Sequence, residues 1–373
     1  GIVPIVPDEA RTFGMEGMFR QIGIYAHEGQ KYEPVDRDQL MYYKENQSGQ
    51  LLEEGITEDG AMSSWIASAT AYSNSGMQMI PFYIFYSMFG FQRIGDLVWA
   101  AGDMQARGFL IGATSGRTTL NGEGLQHEDG HSQIMAGNVP NCVSYDPTFS
   151  HELMVIMQNG MERMFKKQEN VFYYITTMNE NYSHPGLSKG QEKNIVKGMY
   201  LLQKGKKAEM RVQLLGSGSI LREAIAAADL LSADFKVEAD IWSCTSFNQL
   251  KRDGDDVSRW NMLHPDKKPK MSHVEKCLLD TDGPVVAATD YVKLFADQIR
   301  AYVPRSYSVL GTDGFGRSDS RQALRKHFEV DRYYIAVASL NALMEDGSVS
   351  FKTVNAAIKK YGIDPNKNNP LMS

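Results

Sequence analysis

The chain has 373 residues, 42% of them hydrophobic. That is enough to bury two or three cores, since single domains stop growing near roughly 250 to 300 residues. A net charge of -6 and a pI near 5.8 argue against a nucleic-acid-binding protein with a broad basic face. The most apolar stretch, 79–91, is too short for a membrane span and is followed by Arg93 and Asp96. Three cysteines, Cys142, Cys244 and Cys277, stand far apart without CxxC spacing. Neither a zinc site nor a disulfide framework is indicated, and a reducing cytoplasm fits best. No signal peptide is visible, and the chain starts directly in a strand pattern without an initiator methionine, which suggests a piece of a longer protein.

Short apolar runs alternate with helical patterns along the whole length, the rhythm of an α/β protein with mostly parallel sheets. In the first half, strands are predicted at 2–5, 79–85, 109–113, 141–145 and 171–177. Helices fall between them at 10–21, 59–72, 93–106 and 151–166. These form one doubly wound unit. A polar stretch with Pro185 and Gly186, 179–186, reads as a linker. The boundary is placed after 187. The second unit repeats the rhythm, with strands at 212–215, 239–243, 285–289 and 306–310 and helices at 221–231, 292–302, 321–328 and 351–361. The tail 365–370 is expected to be poorly ordered unless it docks on another surface.

Chemistry concentrates in 112–132, a long polar segment that follows a strand, where α/β proteins place their sites. It carries Glu123, His127, Glu128, Asp129 and His131. The HxxxH spacing of His127 and His131 suggests a metal pair only superficially. Gly130 sits inside it and no HExxH order exists, so no metal ligands are assigned. An imidazole titrating near about pH 6.5 suits acid–base work or contact with an anionic substrate better. Tyr86 and Phe89 lie just past an apolar strand and suit a flat ligand, with core packing as the alternative. Arg93 reads equally well as an ion-pair partner. Asp8 stands where a helix N-cap belongs, and Glu58 where a helix start would use its charge. The Gly216-Ser217-Gly218-Ser219-Ile220-Leu221 segment imitates a dinucleotide fingerprint with its third glycine replaced, and reads as a tight strand-to-helix turn.

Five segments carry a closer likeness: D-E-A-R-T-F-G-M-E-G (8–17), Y-S-M-F-G-F-Q-R-I-G-D (86–96), T-S-G-R-T-T-L-N-G-E-G-L-Q-H-E-D-G-H-S (114–132), L-L-G-S-G-S-I-L-R (214–222) and T-D-G-F-G-R-S-D-S-R (312–321). Together they resemble the homodimeric, bacterial-type pyruvate dehydrogenase E1 component of the transketolase superfamily, and the resemblance covers essentially the whole chain. It implies two α/β domains: 1–187, a thiamine diphosphate pyrimidine-binding domain lacking its first elements, and 188–373, a transketolase-type C-terminal domain. It also implies acetyl-transferring decarboxylation of pyruvate, reductive acetylation of the lipoyl domain of the E2 acetyltransferase, homodimerisation and a cytoplasmic location, with no nucleic acid or membrane as partner.

By the same resemblance, Glu58 matches the glutamate that hydrogen-bonds N1' of the cofactor's aminopyrimidine and favours its imino tautomer. Tyr86 and Phe89 become walls for that ring, and Asp8 and Glu9 an acidic pair near the same cleft, with Glu9 catalytic and Asp8 on the cofactor. His127 and His131 fall to the substrate, and His127 assists acyl transfer. The sequence departs from the pattern in one respect. The GDG-to-asparagine motif that holds the diphosphate through Mg²⁺ is missing, because no GDG occurs and Asn368-Asn369 stands alone at the tail. The Mg²⁺ ligands are expected in an absent N-terminal domain, so this chain by itself is expected to be inactive. Another 2-oxo acid or ketose enzyme of the superfamily, or a non-catalytic assembly module, are the alternatives.

Overall fold

The computed structural model describes residues 1–7, 10–35 and 43–373. Contacts gather them into two units. The first comprises 1–115, 135–143 and 159–179; the second comprises 116–134, 144–158 and 180–373.

Thirteen strands run through the described residues: β1 (Ile2–Val6), β2 (Ile24–Tyr25), β3 (Glu45–Asn46), β4 (Leu52–Glu53), β5 (Ile80–Tyr86), β6 (Phe109–Ala113), β7 (Cys142–Tyr145), β8 (Phe172–Thr176), β9 (Tyr200–Gln203), β10 (Arg211–Gly216), β11 (Glu238–Ser243), β12 (Val285–Ala288) and β13 (Tyr307–Leu310). The first unit is built on a six-stranded sheet of order β4-β1-β5-β6-β8-β7. The β4–β1, β1–β5, β5–β6 and β6–β8 pairs are all parallel. Its core is aromatic. Trp65, from the Glu58–Asn74 helix, is fully buried, donates its indole N–H to the Phe109 carbonyl at 3.1 Å and meets Phe172 edge-on. An indole this deep is tolerated because its one polar atom is satisfied.

The second sheet has order β13-β12-β10-β11-β9, parallel except for β9, which joins the β11 edge antiparallel. Side chains alternate across a strand, and both faces here are covered, so the strands read as unbroken apolar runs. Val212, Leu214, Ile241, Val286 and Ala288 point into one core with the Leu221–Phe235, Arg332–Glu345 and Phe351–Lys360 helices. Leu215, Trp242, Val285 and Ala287 point into the other, with the Phe247–Leu263 and His273–Leu278 helices.

The stretch read as a linker and the polar tail are both tied down. Within 179–186, Glu180 pairs with Arg222 and Arg325, and the Tyr182 hydroxyl donates to the Thr148 carbonyl. The tail closes in a short 3-10 turn at Pro370–Met372. Lys367 pairs with Glu329 at 3.1 Å and donates to the His327 carbonyl at 2.5 Å. In both places polar side chains are anchored, to charged groups and to backbone carbonyls.

Candidate active site

In the first unit, Thr57 caps the Glu58–Asn74 helix by accepting the Gly60 N–H at 3.3 Å, which places Glu58 and Asp59 in the first turn against the positive end of the helix dipole. Glu58 is nevertheless buried, 7% exposed. A carboxylate so placed needs a partner, and Arg93 supplies one, donating to Oε1 at 2.7 Å. Glu58 Oε2 accepts no hydrogen bond among the described residues. The Arg93 guanidinium also lies 4.1 Å from the centre of the Phe89 ring. Phe89 stands edge-on to Tyr86 at 6.0 Å, and Tyr86 edge-on to Phe13 at 5.4 Å.

Tyr86 ends β5 and Phe89 sits in the turn that follows. Gly90 is required there, because a Cβ would lie 2.2 Å from Cε2 of Phe85. The next helix therefore starts at Phe91 and brings Arg93 back over Phe89. Glu58, Arg93, Phe89 and Tyr86 thus form one corner. Its chemistry is a carboxylate with an open oxygen beside aromatic faces, which fits a flat ring bearing a hydrogen-bonding nitrogen. Asp8 and Glu9 lie outside the described residues.

His127 and His131 belong to the second unit. Glu128 and Asp129, two of the acidic and imidazole groups in their segment, turn inward as ties. Asp129 is fully buried and accepts the His131 and Ser132 N–H groups at 2.9 Å each. Glu128 is buried, accepts the Arg317 N–H at 2.6 Å, and has its carboxyl pushed up to about 8 by burial. Glu123 and His127 stay partly exposed, with carboxylate and imidazole 4.0 Å apart. Among the described residues no group of three or more His, Cys, Asp or Glu side chains is placed to hold a metal ion.

The same segment occupies the switch point of the second sheet, where β11 and β12 leave β10 on opposite sides and where open α/β sheets bind ligands. Thr118 gives its N–H to the Asp290 carboxylate at 3.1 and 3.2 Å and its hydroxyl at 2.7 Å. Ser219 adds a third donor at 3.3 Å. Burial pushes Asp290 up to about 6, against the pull of Arg325 and these hydrogen bonds. Arg117 donates to the Gly314 carbonyl, and burial lowers its pKa against the surrounding carboxylates. The glycine turn is likewise filled: Gly218, at φ +51, leaves no room for a Cβ beside the Asp146 carboxylate. Side chains of the same unit thus pack against the turn that follows β10. The sequence did not single out Arg117 or Asp290. A Thr-Asp pair closing the apolar 285–288 run was the available signal.

The architecture is that of the transketolase group. The structure of transketolase from Leishmania mexicana superposes with a TM-score of 0.66 at 14% identity, covering 92% of this chain and 43% of that one. Residues 1–185 match the pyruvate dehydrogenase E1 component middle domain, and 198–331 match the transketolase-like C-terminal domain. The chain is 63% identical over 372 residues to the pyruvate dehydrogenase E1 component of Cupriavidus necator. It is 64% identical over 372 residues to that of Pseudomonas aeruginosa. Each alignment covers 99% of this chain and 42% of the relative. The chain belongs to the pyruvate dehydrogenase E1 component family and spans less than half the length of these relatives.

Proposed function

We propose that this chain forms the pyrimidine-binding wall and C-terminal domain of a thiamine diphosphate-dependent pyruvate dehydrogenase (acetyl-transferring). The observation that carries this reading is the corner around Glu58. Glu58 binds the ring nitrogen of the aminopyrimidine through the oxygen that Arg93 leaves open. Tyr86 and Phe89 wall the ring, and Arg93 fixes the direction of the buried carboxylate. When bound, the cofactor supplies the nucleophilic carbon that attacks the keto group of pyruvate. Its diphosphate and Mg²⁺ belong to a domain outside this chain, so residues 1–373 alone are inactive.

His127 and His131 serve the substrate, and His127 assists acetyl transfer to the lipoyl domain of E2. The partly exposed Glu123–His127 pair supports this, since it leaves an imidazole oriented yet reachable. The roles given to Asp8 and Glu9 rest on the family resemblance. The domain division after 187 is supported by matches ending at 185 and starting at 198. Exposed Ile56 and Trp99 support a homodimer, and Cys142, Cys244 and Cys277, which form no disulfide among the described residues, support the reducing cytoplasm. Among the described residues no helix is long and apolar enough to cross a membrane.

The test is Glu58→Ala in the full-length enzyme. A group acting mainly in the transition state affects kcat more than cofactor binding, so kcat should fall by about two orders of magnitude or more. Cofactor affinity should change little. A wild-type kcat would reject the assignment.

A further inference from the structure

Far along the chain from the corner around Glu58, the second unit contains a cavity of about 420 Å³, within the size range of small-molecule pockets. Four cationic side chains line it, Arg321, Arg325, Lys326 and Arg332, against two carboxylates, Glu223 and Asp331. Both carboxylates are already engaged. Glu223 is held by Arg332 through two hydrogen bonds of 2.9 and 3.0 Å, with Arg325 at 3.5 Å. Asp331 caps the Arg332–Glu345 helix, accepting the Tyr333 and Tyr334 N–H groups. The Lys326 ammonium takes no ion pair or hydrogen bond among the described residues. The far wall is aromatic, with Tyr333 and Tyr361 rings 5.2 Å apart and tilted by 43°.

A helix-to-helix ion pair accounts for Arg332 and Glu223. It does not account for an uncompensated lysine and a tyrosine wall converging on the same space. Guanidinium groups, planar by delocalisation and fixed in orientation by carboxylates, are pre-organised for contact with phosphate oxygens, and a tyrosine face takes a flat ring. We propose that this cavity is a binding site for a phosphate monoester whose alcohol part bears a flat ring, with Lys326 and Arg332 on the phosphate and Tyr333 on the ring.

The experiment is calorimetry on the full-length protein saturated with thiamine diphosphate and Mg²⁺, which keeps the catalytic diphosphate site filled. Phenyl phosphate, adenosine monophosphate and inorganic phosphate are titrated separately. At least one ester should bind at submillimolar concentration, with inorganic phosphate weaker by about tenfold or more. A preference between phenyl phosphate and adenosine monophosphate shows whether a bare ring or a nucleoside is taken. Lys326→Glu should weaken the ester by about tenfold or more with an unchanged melting temperature. Tyr333→Ala should bring the ester down toward inorganic phosphate while leaving the latter unaltered. No heat from either ester at millimolar concentration, or equal affinity in wild type and Lys326→Glu, would overturn the site.

Discussion

Replacing Arg325 by methionine keeps most of the apolar stem and removes the buried charge that ties three parts of the second unit together. Arg325 is 6% exposed. It donates to both oxygens of Glu180 and to Thr118 Oγ1 at 3.3 Å, and it lies 3.5 Å from Glu223. Breaking a buried pair by removing one partner costs about 3 to 5 kcal/mol. The cost here should be smaller, about 2 to 3 kcal/mol, because neither carboxylate is abandoned. Glu180 keeps Arg222 and has Arg321 at 3.9 Å, and Glu223 keeps Arg332 at 2.9 Å. Hydrogen exchange at amides of the Leu221–Phe235 helix and β10 reads this loss where it occurs. The pH dependence adds a second check. Both carboxyls are held below the ordinary carboxylate range by their arginines, so their stabilisation is complete above the unfolded value near 4.5 and fades as pH falls through the depressed folded values. The gap between wild type and Arg325→Met should therefore be full at pH 7 and narrow in acid. A loss under about 1 kcal/mol, or a gap independent of pH, would refute the account of this cluster.

Glu128→Gln tests the opposite case: burial raises the Glu128 carboxyl to about 8, so between its unfolded value and that value the native state holds a proton the unfolded chain has released, and stability falls as pH rises. Glutamine keeps an acceptor for the Arg317 N–H without the charge, so the variant should gain on wild type from pH 5 to pH 8 in thermal melts; parallel curves would show that Glu128 is ionised in the native state. His127→Ala in the full-length enzyme should depress the lipoyl-coupled rate more than cofactor affinity, and loss of bound thiamine diphosphate instead would move His127 from the substrate to the cofactor.

The strands were the legible part of the fold because each is a short apolar run between polar turns. The 109–113 prediction coincides with β6, and 79–85 differs from β5 by one residue at each end. Elements whose pattern depends on tertiary surroundings escaped. The Phe247–Leu263 helix carries a long charged face and Gly254, so its sequence looks like a loop until Phe247 and Leu250 are seen buried. The Arg332–Glu345 helix is apolar nearly all round because both sides are packed, which removes its periodicity. The antiparallel edge strand β9 has only four residues, one of them buried. At the candidate site, the likeness pointed to Glu58, Tyr86 and Phe89 one by one. Arg93 was ambiguous in sequence, and the structure resolves it by placing its guanidinium on both Glu58 and Phe89. The polar density of 112–132 was legible, but its inward-facing part was not, since Thr118 finds its acceptor 172 positions away.

That separation bears on how the protein is made. Thr118 leaves the ribosome 172 residues ahead of Asp290, which at usual rates of synthesis is roughly ten to thirty seconds. During that interval the first parallel strands can pair, but Thr118 lacks the Asp290 carboxylate and Arg117 lacks the Gly314 carbonyl, and the end of β10 stands open to water. Closing so long a loop is entropically unfavourable until the strand bearing Asp290 is in place. Insertion of the segment bearing Arg117 and Thr118 is therefore expected late in folding, and a nascent chain stalled before residue 285 would carry an unfinished second sheet for chaperones to shield.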